Sequence, residues 1–306
     1  PLQTGIPRGM TLNQDRTRFY VVDVSYESVE VVDIASKRTL DTFTLSRGNE
    51  TIRIWGQAID PQERYAVVLT KSYRKLSDRF EVGEPTLLKV DLATHQVTDT
   101  VPWPDGDTRD RARMIFSPEG DLLYFFGRDI VVLETEGFTE VDRWEYTEAL
   151  DPGLGRFDFG FPEQTYEEPG TFTGLFTLRD PVQNRRIMGI ARVHLEERDV
   201  DFFTVGPADG VQFALAPGGR RAYGVESEVG NWRFWTFDLD ERRVVRREPF
   251  QGRPRMRLVT SSNGEQLYIY NAGHTIDVYD VDTYDHLRTV ELGADTTTEL
   301  FVLPKP

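Results

Sequence analysis

The chain has 306 residues, a net charge of −15 and no cysteine. The acidic balance argues against nucleic acid as a partner, because binding to phosphates needs a basic patch. Without cysteine, the chain cannot hold an iron–sulfur cluster, a covalently attached haem, a thiol nucleophile or a disulfide. No apolar run approaches the roughly 20 residues of a membrane span. The first residue is not Met, which predicts that an upstream segment was removed.

A short repeat recurs along the chain and indicates the fold. Each copy begins with a polar turn, continues with a short aromatic strand and a strand ending near Asp, and then has a further strand. In chain order, the turns and strands are predicted at 13–15, 19–22, 29–34 and 40–45 for blade one, and at 60–62, 65–69, 87–92 and 97–101 for blade two. They are predicted at 117–120, 122–126 and 130–133 for blade three, at 216–219, 222–225 and 235–239 for blade five, and at 261–264, 267–270 and 278–281 for blade six. Blade four, at about 155–206, is the least regular copy.

The sequence therefore predicts an all-β protein, a single β-propeller domain over residues 1–306 built from four-stranded blades. Six repeats are readable, and one further closing strand is predicted at 297–303. Closure of a propeller usually pairs strands from both termini in one blade, which removes exposed edges. The lone strand therefore predicts seven blades, with most of the N-terminal blade upstream of Pro1. The alternative is a six-bladed ring in which the last strand joins blade one.

An Asp recurs near strand ends and is followed shortly by Ser or Thr, as at Asp33, Asp91 and Asp280. Such a side chain is expected to cap its own turn, and metal ligation is the alternative. His95 and His286 lie in equivalent turns of two blades, which predicts that both belong to the turn surface. No pair of histidines has the spacing of a zinc or metalloprotease motif, and there is no nucleophile elbow or phosphate loop.

Three stretches of sequence carry a more specific resemblance. They are Trp-Gly-Gln-Ala-Ile-Asp-Pro at 55–61, a long charged hairpin at 71–84, and the segment 114–130, which contains Ser-Pro-Glu-Gly and Phe-Gly-Arg-Asp. With the order of the blades from about residue 6 to 303, these stretches resemble the propeller (beta) subunit of quinohemoprotein amine dehydrogenase. More broadly, the repeat resembles the YVTN-type propellers of bacterial extracytoplasmic proteins.

The resemblance implies a non-catalytic scaffold subunit of a periplasmic complex that oxidises primary amines. It implies two partners, a small cross-linked subunit that carries a tryptophan-derived quinone and a cytochrome subunit that carries haem. This chain would bind no cofactor and contribute no catalytic residue, while helping to enclose the active site of the small subunit. The alternative is a stand-alone propeller, either a lactonase-type metal-dependent hydrolase or a ligand- or protein-binding surface protein.

Two segments are candidates for the partner interface. The first is the aromatic stretch 151–173, where alternation places three rings on one strand face; its candidates are Phe157, Phe159, Phe161, Tyr166 and Phe172. Packing between neighbouring blades is the alternative. The second is the hairpin 71–84, too long for a tight turn, with Tyr73, Arg74 and Arg79 as candidates; a merely solvated loop is the alternative. Arg53 and Trp55 lie just before blade two; Trp55 is expected to pack in the core, and a position at the mouth of the central channel is the alternative for both.

Overall fold

The computed structural model describes residues 8–104, 106–127, 129–145, 158–160, 168, 170–180, 182–207, 210–228, 230–271, 273–296 and 300–303. The described residues contain no helix, and so none that is long and apolar enough to cross a membrane. Their strands form six antiparallel sheets, the blades of a β-propeller, each built on four strands in sequence order. The predicted all-β propeller fold is confirmed.

The first unit, Pro1–Thr147, contains blades one to three. Blade one consists of β1 (Gly9–Leu12), β2 (Arg18–Val22), β3 (Ser28–Asp33) and β4 (Arg38–Thr44). Blade two consists of β5 (Glu50–Ile59), β6 (Tyr65–Lys75), β7 (Phe80–Val82), β8 (Thr86–Asp91) and β9 (Val97–Val101). Blade three consists of β10 (Arg113–Phe116), β11 (Leu122–Phe126), β12 (Ile130–Glu134) and β13 (Glu140–Trp144). The extra strand of blade two, β7, pairs with β6 outside the regular order.

The second unit, Glu148–Pro306, contains blades four to six. Blade four consists of β14 (Asp158–Gly160), β15 (Thr171–Asp180), β16 (Arg185–His194) and β17 (Asp199–Pro207). Blade five consists of β18 (Val211–Leu215), β19 (Arg221–Glu228), β20 (Asn231–Asp238) and β21 (Arg243–Pro249). Blade six consists of β22 (Arg257–Thr260), β23 (Gln266–Tyr270), β24 (Gly273–Asp280) and β25 (His286–Thr296).

The predicted seventh blade does not occur among the described residues. Blade six is already complete, because the eleven-residue strand β25 supplies its fourth strand. Of the predicted closing strand, residues 300–303 are described and lie in no strand, so the prediction is wrong for that part. Residues 297–299 lie outside the described ranges.

The hydrophobic core of each unit lies between neighbouring blades. In the first unit, one cluster joins blades one and two, and a second joins blades two and three through residues such as Leu87, Leu123 and Leu133. In the second unit, one cluster joins blades four and five and another joins blades five and six around Phe234. Short β-branched and aromatic strands suit this packing, because adjacent blades within each unit cover one another's faces.

Polar side chains at the turns add bonds from blade to blade. The buried Tyr20 hydroxyl of blade one donates a hydrogen bond of 2.6 Å to Glu63, in the first turn of blade two. Glu63 also accepts a hydrogen bond from Arg18 at 3.1 Å. Burial and the neighbouring carboxylate raise the pKa of Tyr20 above its usual value, so the phenol stays protonated as the donor. Blades one and two are therefore joined by a charge-assisted bond beside the apolar cluster.

Every blade has a register shift between its third and fourth regular strands. A β-bulge opposes two residues to one, bends the strand and increases its twist. In five blades the shift lies just before the end of the third strand, at Val31/Val32, Lys89/Val90, Val132/Leu133, Thr236/Phe237 and Val278/Tyr279. In blade four it lies near the start of that strand, at Met188/Gly189. The recurrence makes the bulge part of the repeat, although the repeated sequence gives no sign of it.

Candidate functional site

Blade two carries an extension that the other described blades of its unit lack. The first two strands of blades one and three have four or five residues, whereas β5 and β6 have ten and eleven. Strand β6 pairs with β8 over Tyr65–Thr70 and then with β7 at residues 73–75. The segment predicted as a charged hairpin is thus a small three-stranded sheet of β5, β6 and β7 that continues the blade.

A bulge at Trp55 separates this extension from the body of the blade. The register of β5 and β6 shifts between Ile54 and Gly56, so that Trp55 is the extra residue. Ile54 is fully buried, and its backbone N–H donates a 2.7 Å hydrogen bond to the carbonyl of Tyr26 in blade one. The extension therefore starts from an anchored base.

Trp55 itself is not in the core. Its side chain is 43% exposed and stacks on Tyr26, with 4.3 Å between ring centroids. The expectation that Trp55 packs in the core is wrong, because the bulge shifts the register where an uninterrupted strand was assumed. The result is a half-exposed aromatic pair at the base of the extension.

The register divides the side chains of the extension between two faces. Tyr73 lies opposite Val82, Lys75 opposite Phe80, and Arg53 opposite Lys71. Because directly opposed residues and alternate residues share a face, these six side chains lie together. We call this surface the hairpin face; its members are Arg53, Lys71, Tyr73, Lys75, Phe80 and Val82. The other face carries Glu50, Arg74 and Glu81.

The hairpin face combines apolar and cationic side chains. Phe80 is 64% exposed and Val82 is 54% exposed. The Arg53 guanidinium lies over the Tyr73 ring, 4.7 Å from its centroid, and its Nε atom is buried without a hydrogen-bond partner. Lys71 lies 3.2 Å from Asp110, a largely exposed carboxylate. An exposed apolar pair beside three cations is typical of a surface that contacts another molecule.

The structure separates the three hairpin residues named as candidates. Tyr73 lies on the hairpin face, while Arg74 lies on the opposite face, 3.7 Å from Glu50. Arg79 follows the turn, where it lies 3.2 Å from Asp78 and 3.3 Å from Glu81. Sequence reasoning missed Lys75, Phe80 and Val82. The signal that could have identified them is the alternation of Tyr73 with Lys75, and of Phe80 with Val82, on either side of a polar turn.

The aromatic candidates in blade four fall partly outside the described residues. Phe157, Phe161 and Tyr166 lie there. Phe159 is in β14, with its Cα opposite that of Phe176 in β15, which confirms a strand at that point of the stretch. Phe172 is in β15 and only 4% exposed, which favours packing over contact with a partner.

The recurring acidic residues at the strand ends cap their turns, as predicted. Asp33 and Asp91 each accept a 2.7 Å hydrogen bond from a backbone N–H, of Ser36 and of Thr94. Asp280 accepts one of 2.9 Å from the backbone of Thr283. In blade three Glu134 takes this role, and its hydrogen bonds from Thr139 and from the backbone of Gly137 and Thr139 lower its pKa to about 2. Each carboxylate is occupied by its own turn, which favours the capping interpretation over metal ligation.

The histidines of the equivalent turns belong to the turn surface, as predicted. His95 stacks on Phe43 at 4.5 Å, and its Nε2 atom lies 2.9 Å from Asp41. His286 lies 3.0 Å from the Thr289 hydroxyl. Within the ranges given above, no group of three or more His, Asp or Glu side chains is arranged to hold a metal ion.

A polar cleft of about 570 Å³ lies between turns of blades five and six. Its lining is mixed in charge: Arg220 and Arg221 face Asp238, Asp240, Glu265 and Asp282. Arg220 is bonded to Asp240 at 2.7 Å. The cleft follows the turns of the repeat, where Asp238 accepts a hydrogen bond from the backbone of Glu241 and Glu265 accepts one from Asn263.

Comparisons with known proteins identify the fold and no family. No family model matches the chain, and no curated protein is significantly similar in sequence. Among solved structures, hydrazine synthase from Kuenenia stuttgartiensis has 16% sequence identity and a TM-score of 0.53, over 92% of this chain and 78% of that one. A chain from the complex of KlAtg21 with the coiled-coil of AgAtg16 has 12% identity and a TM-score of 0.59, over 96% and 89%. Similarity at this level of identity shows a shared propeller fold alone.

Proposed function

We propose that the chain is the non-catalytic propeller scaffold of a periplasmic complex like quinohemoprotein amine dehydrogenase. In this proposal it packs on a quinone-bearing small subunit and helps to enclose the active site there. A second partner carries haem, and this chain holds no cofactor. The observation that carries the proposal is the blade-two extension, which exposes Phe80, Val82 and the Trp55–Tyr26 stack on a base anchored by the buried Ile54.

The extension suits a scaffold role for two reasons. Its strands continue buried strands of the blade, so the exposed side chains are held in fixed relative positions. Exposed aromatic and apolar side chains next to Arg have the composition of interface cores. The same segment is among those that resemble the amine dehydrogenase propeller, and one solved structure with a similar fold is a complex with a coiled-coil. These observations support a protein partner.

Native mass spectrometry of the chain purified from its source tests the proposal. The separated subunits are stained for quinone by redox cycling and for haem. We expect the propeller to co-purify with a small quinone-positive chain and a haem-positive chain, and we expect the propeller itself to stain for neither. A monomer with neither kind of partner would contradict the assignment to an amine dehydrogenase-like complex.

A further inference from the structure

The hairpin face has a chemistry that identifies the segment it binds. We propose that it binds an acidic segment of a partner protein, one in which carboxylates alternate with apolar side chains. The proposal rests on the proposed function only for the identity of the partner. The binding chemistry follows from the hairpin face itself. Its cationic members are Arg53, Lys71 and Lys75, and its aromatic and apolar members are Tyr73, Phe80 and Val82.

The charge of this region runs against that of the chain. Residues 71–84 contain four basic and three acidic side chains, in a chain of net charge −15. Of the three acidic side chains, the register places Glu81 on the opposite face with Arg74 and Glu50, while Asp78 and Glu84 lie outside the paired residues. In the described part of the chain, neither Arg53 nor Lys75 has a carboxylate within ion-pair distance, and Lys71 faces only the exposed Asp110. Two cations of this small surface, Arg53 and Lys75, thus have no carboxylate partner among the described residues, and the partner of the third, Lys71, is itself largely exposed.

The apolar members make the face more than a cationic patch. Phe80 and Val82 stand one strand away from Lys75 and Tyr73, so an extended segment with alternating side chains meets cations and apolar groups in turn. The contact between Arg53 and Tyr73 holds the guanidinium in place before binding, which lowers the entropy lost when it meets a carboxylate.

A short protein segment fits these charges better than an extended anionic surface does. A bilayer or a nucleic acid would also face the rest of this acidic chain, and its charges would be repelled wherever they came within about 10 Å of it. A segment that covers only the hairpin face meets the local positive charge and avoids that repulsion.

Fluorescence anisotropy on the full chain tests the proposal with a labelled short peptide that alternates glutamate with valine. Lys75→Glu turns an attraction into a repulsion, and we expect about tenfold weaker binding. Arg74→Glu is the matched control, because it changes the same charge at the next residue, on the opposite face and at a similarly exposed position. We expect it to weaken binding less than about twofold. Circular dichroism checks that both variants fold.

Further probes separate the possible occupants. We expect a glutamine-for-glutamate peptide to bind at least about tenfold more weakly, and Phe80→Ser to weaken binding of the acidic peptide to a similar extent. Equal losses for Lys75→Glu and Arg74→Glu, or undiminished binding of the glutamine peptide, would overturn the proposal. Binding of phosphatidylserine vesicles without binding of the acidic peptide would overturn it in favour of a lipid surface.

The two proposals fail separately. A chain that purifies alone but binds the acidic peptide through Lys75 contradicts the amine dehydrogenase-like complex and supports the hairpin face. A native complex that keeps its quinone and haem partners when Lys75→Glu and Phe80→Ser are combined supports the complex and overturns the hairpin face as its docking surface.

Discussion

The hydrogen bond between Tyr20 and Glu63 allows the contribution of one contact between blades one and two to the free energy of unfolding to be measured. The buried hydroxyl donates to the carboxylate at 2.6 Å, and a hydrogen bond to a charged partner contributes about 1.5–3 kcal/mol. We expect Tyr20→Phe to lower the free energy of unfolding by about 1.5 kcal/mol, because Glu63 keeps Arg18 and regains water at its partly exposed side chain.

Glu63→Ala is expected to cost more, about 2–3 kcal/mol, because it leaves the Tyr20 hydroxyl buried without an acceptor and removes the pair with Arg18. Ala is no more strained than Glu at this position, where φ is 54°. The double variant therefore loses less than the sum of the single variants, by about 1–2 kcal/mol. Urea unfolding followed by fluorescence of the five tryptophans measures all three free energies. Additive losses, within about 0.5 kcal/mol, would refute the coupling.

Two further predictions concern the bulge of blade four and the acid turn of blade three. Gly189→Ala places a Cβ 2.3 Å from the Phe203 carbonyl oxygen, so we expect the free energy of unfolding in urea to fall by about 1–3 kcal/mol. Gly9→Ala is the control and is expected to be neutral, because its Cβ would lie 3.9 Å from its nearest neighbour. Equal effects of the two substitutions would contradict the crowding at Gly189. The pKa of Glu134 lies at about 2, below its unfolded value, so its stabilising contribution is complete above about pH 4.5 and is lost as the pH falls through 2. An NMR titration should show the Glu134 carboxylate still ionised at about pH 3. Glu134→Gln should reduce the slope of the free energy of unfolding against pH between about pH 2 and 4.5. A titration midpoint for Glu134 at about 4.3 would contradict the hydrogen bonds in the turn.

The fold was largely predictable because each blade repeats the same local chemistry. Turns such as Ser-Pro-Glu-Gly at 117–120 and the caps at Asp33 and Asp91 are decided within a few residues, so sequence is enough to place them. The first strand of blade one was harder to predict from the sequence. Strand β1 at Gly9–Leu12 has only half-buried side chains and little apolar alternation, and the pairing with β2 defines it.

The candidate site was only partly predictable, because its geometry depends on register. The length and charge of the hairpin 71–84 indicated an exposed feature. The position of Trp55 outside the core, and the separation of Arg74 from Tyr73, follow from a bulge and from pairing between strands. A shift of one residue moves a side chain to the other face, and sequence alone does not specify that shift.

The way β6 changes partners has a consequence for how this surface can evolve. Up to Thr70 the strand belongs to the blade, between β5 and β8; beyond it, the strand belongs to the extension and pairs with β7. Residues 71–84 can therefore be lengthened, shortened or exchanged between related chains while the Tyr65–Thr70 ladder and the buried Ile54 stay unchanged. A new recognition specificity can be grafted onto blade two without redesigning the core that supports it.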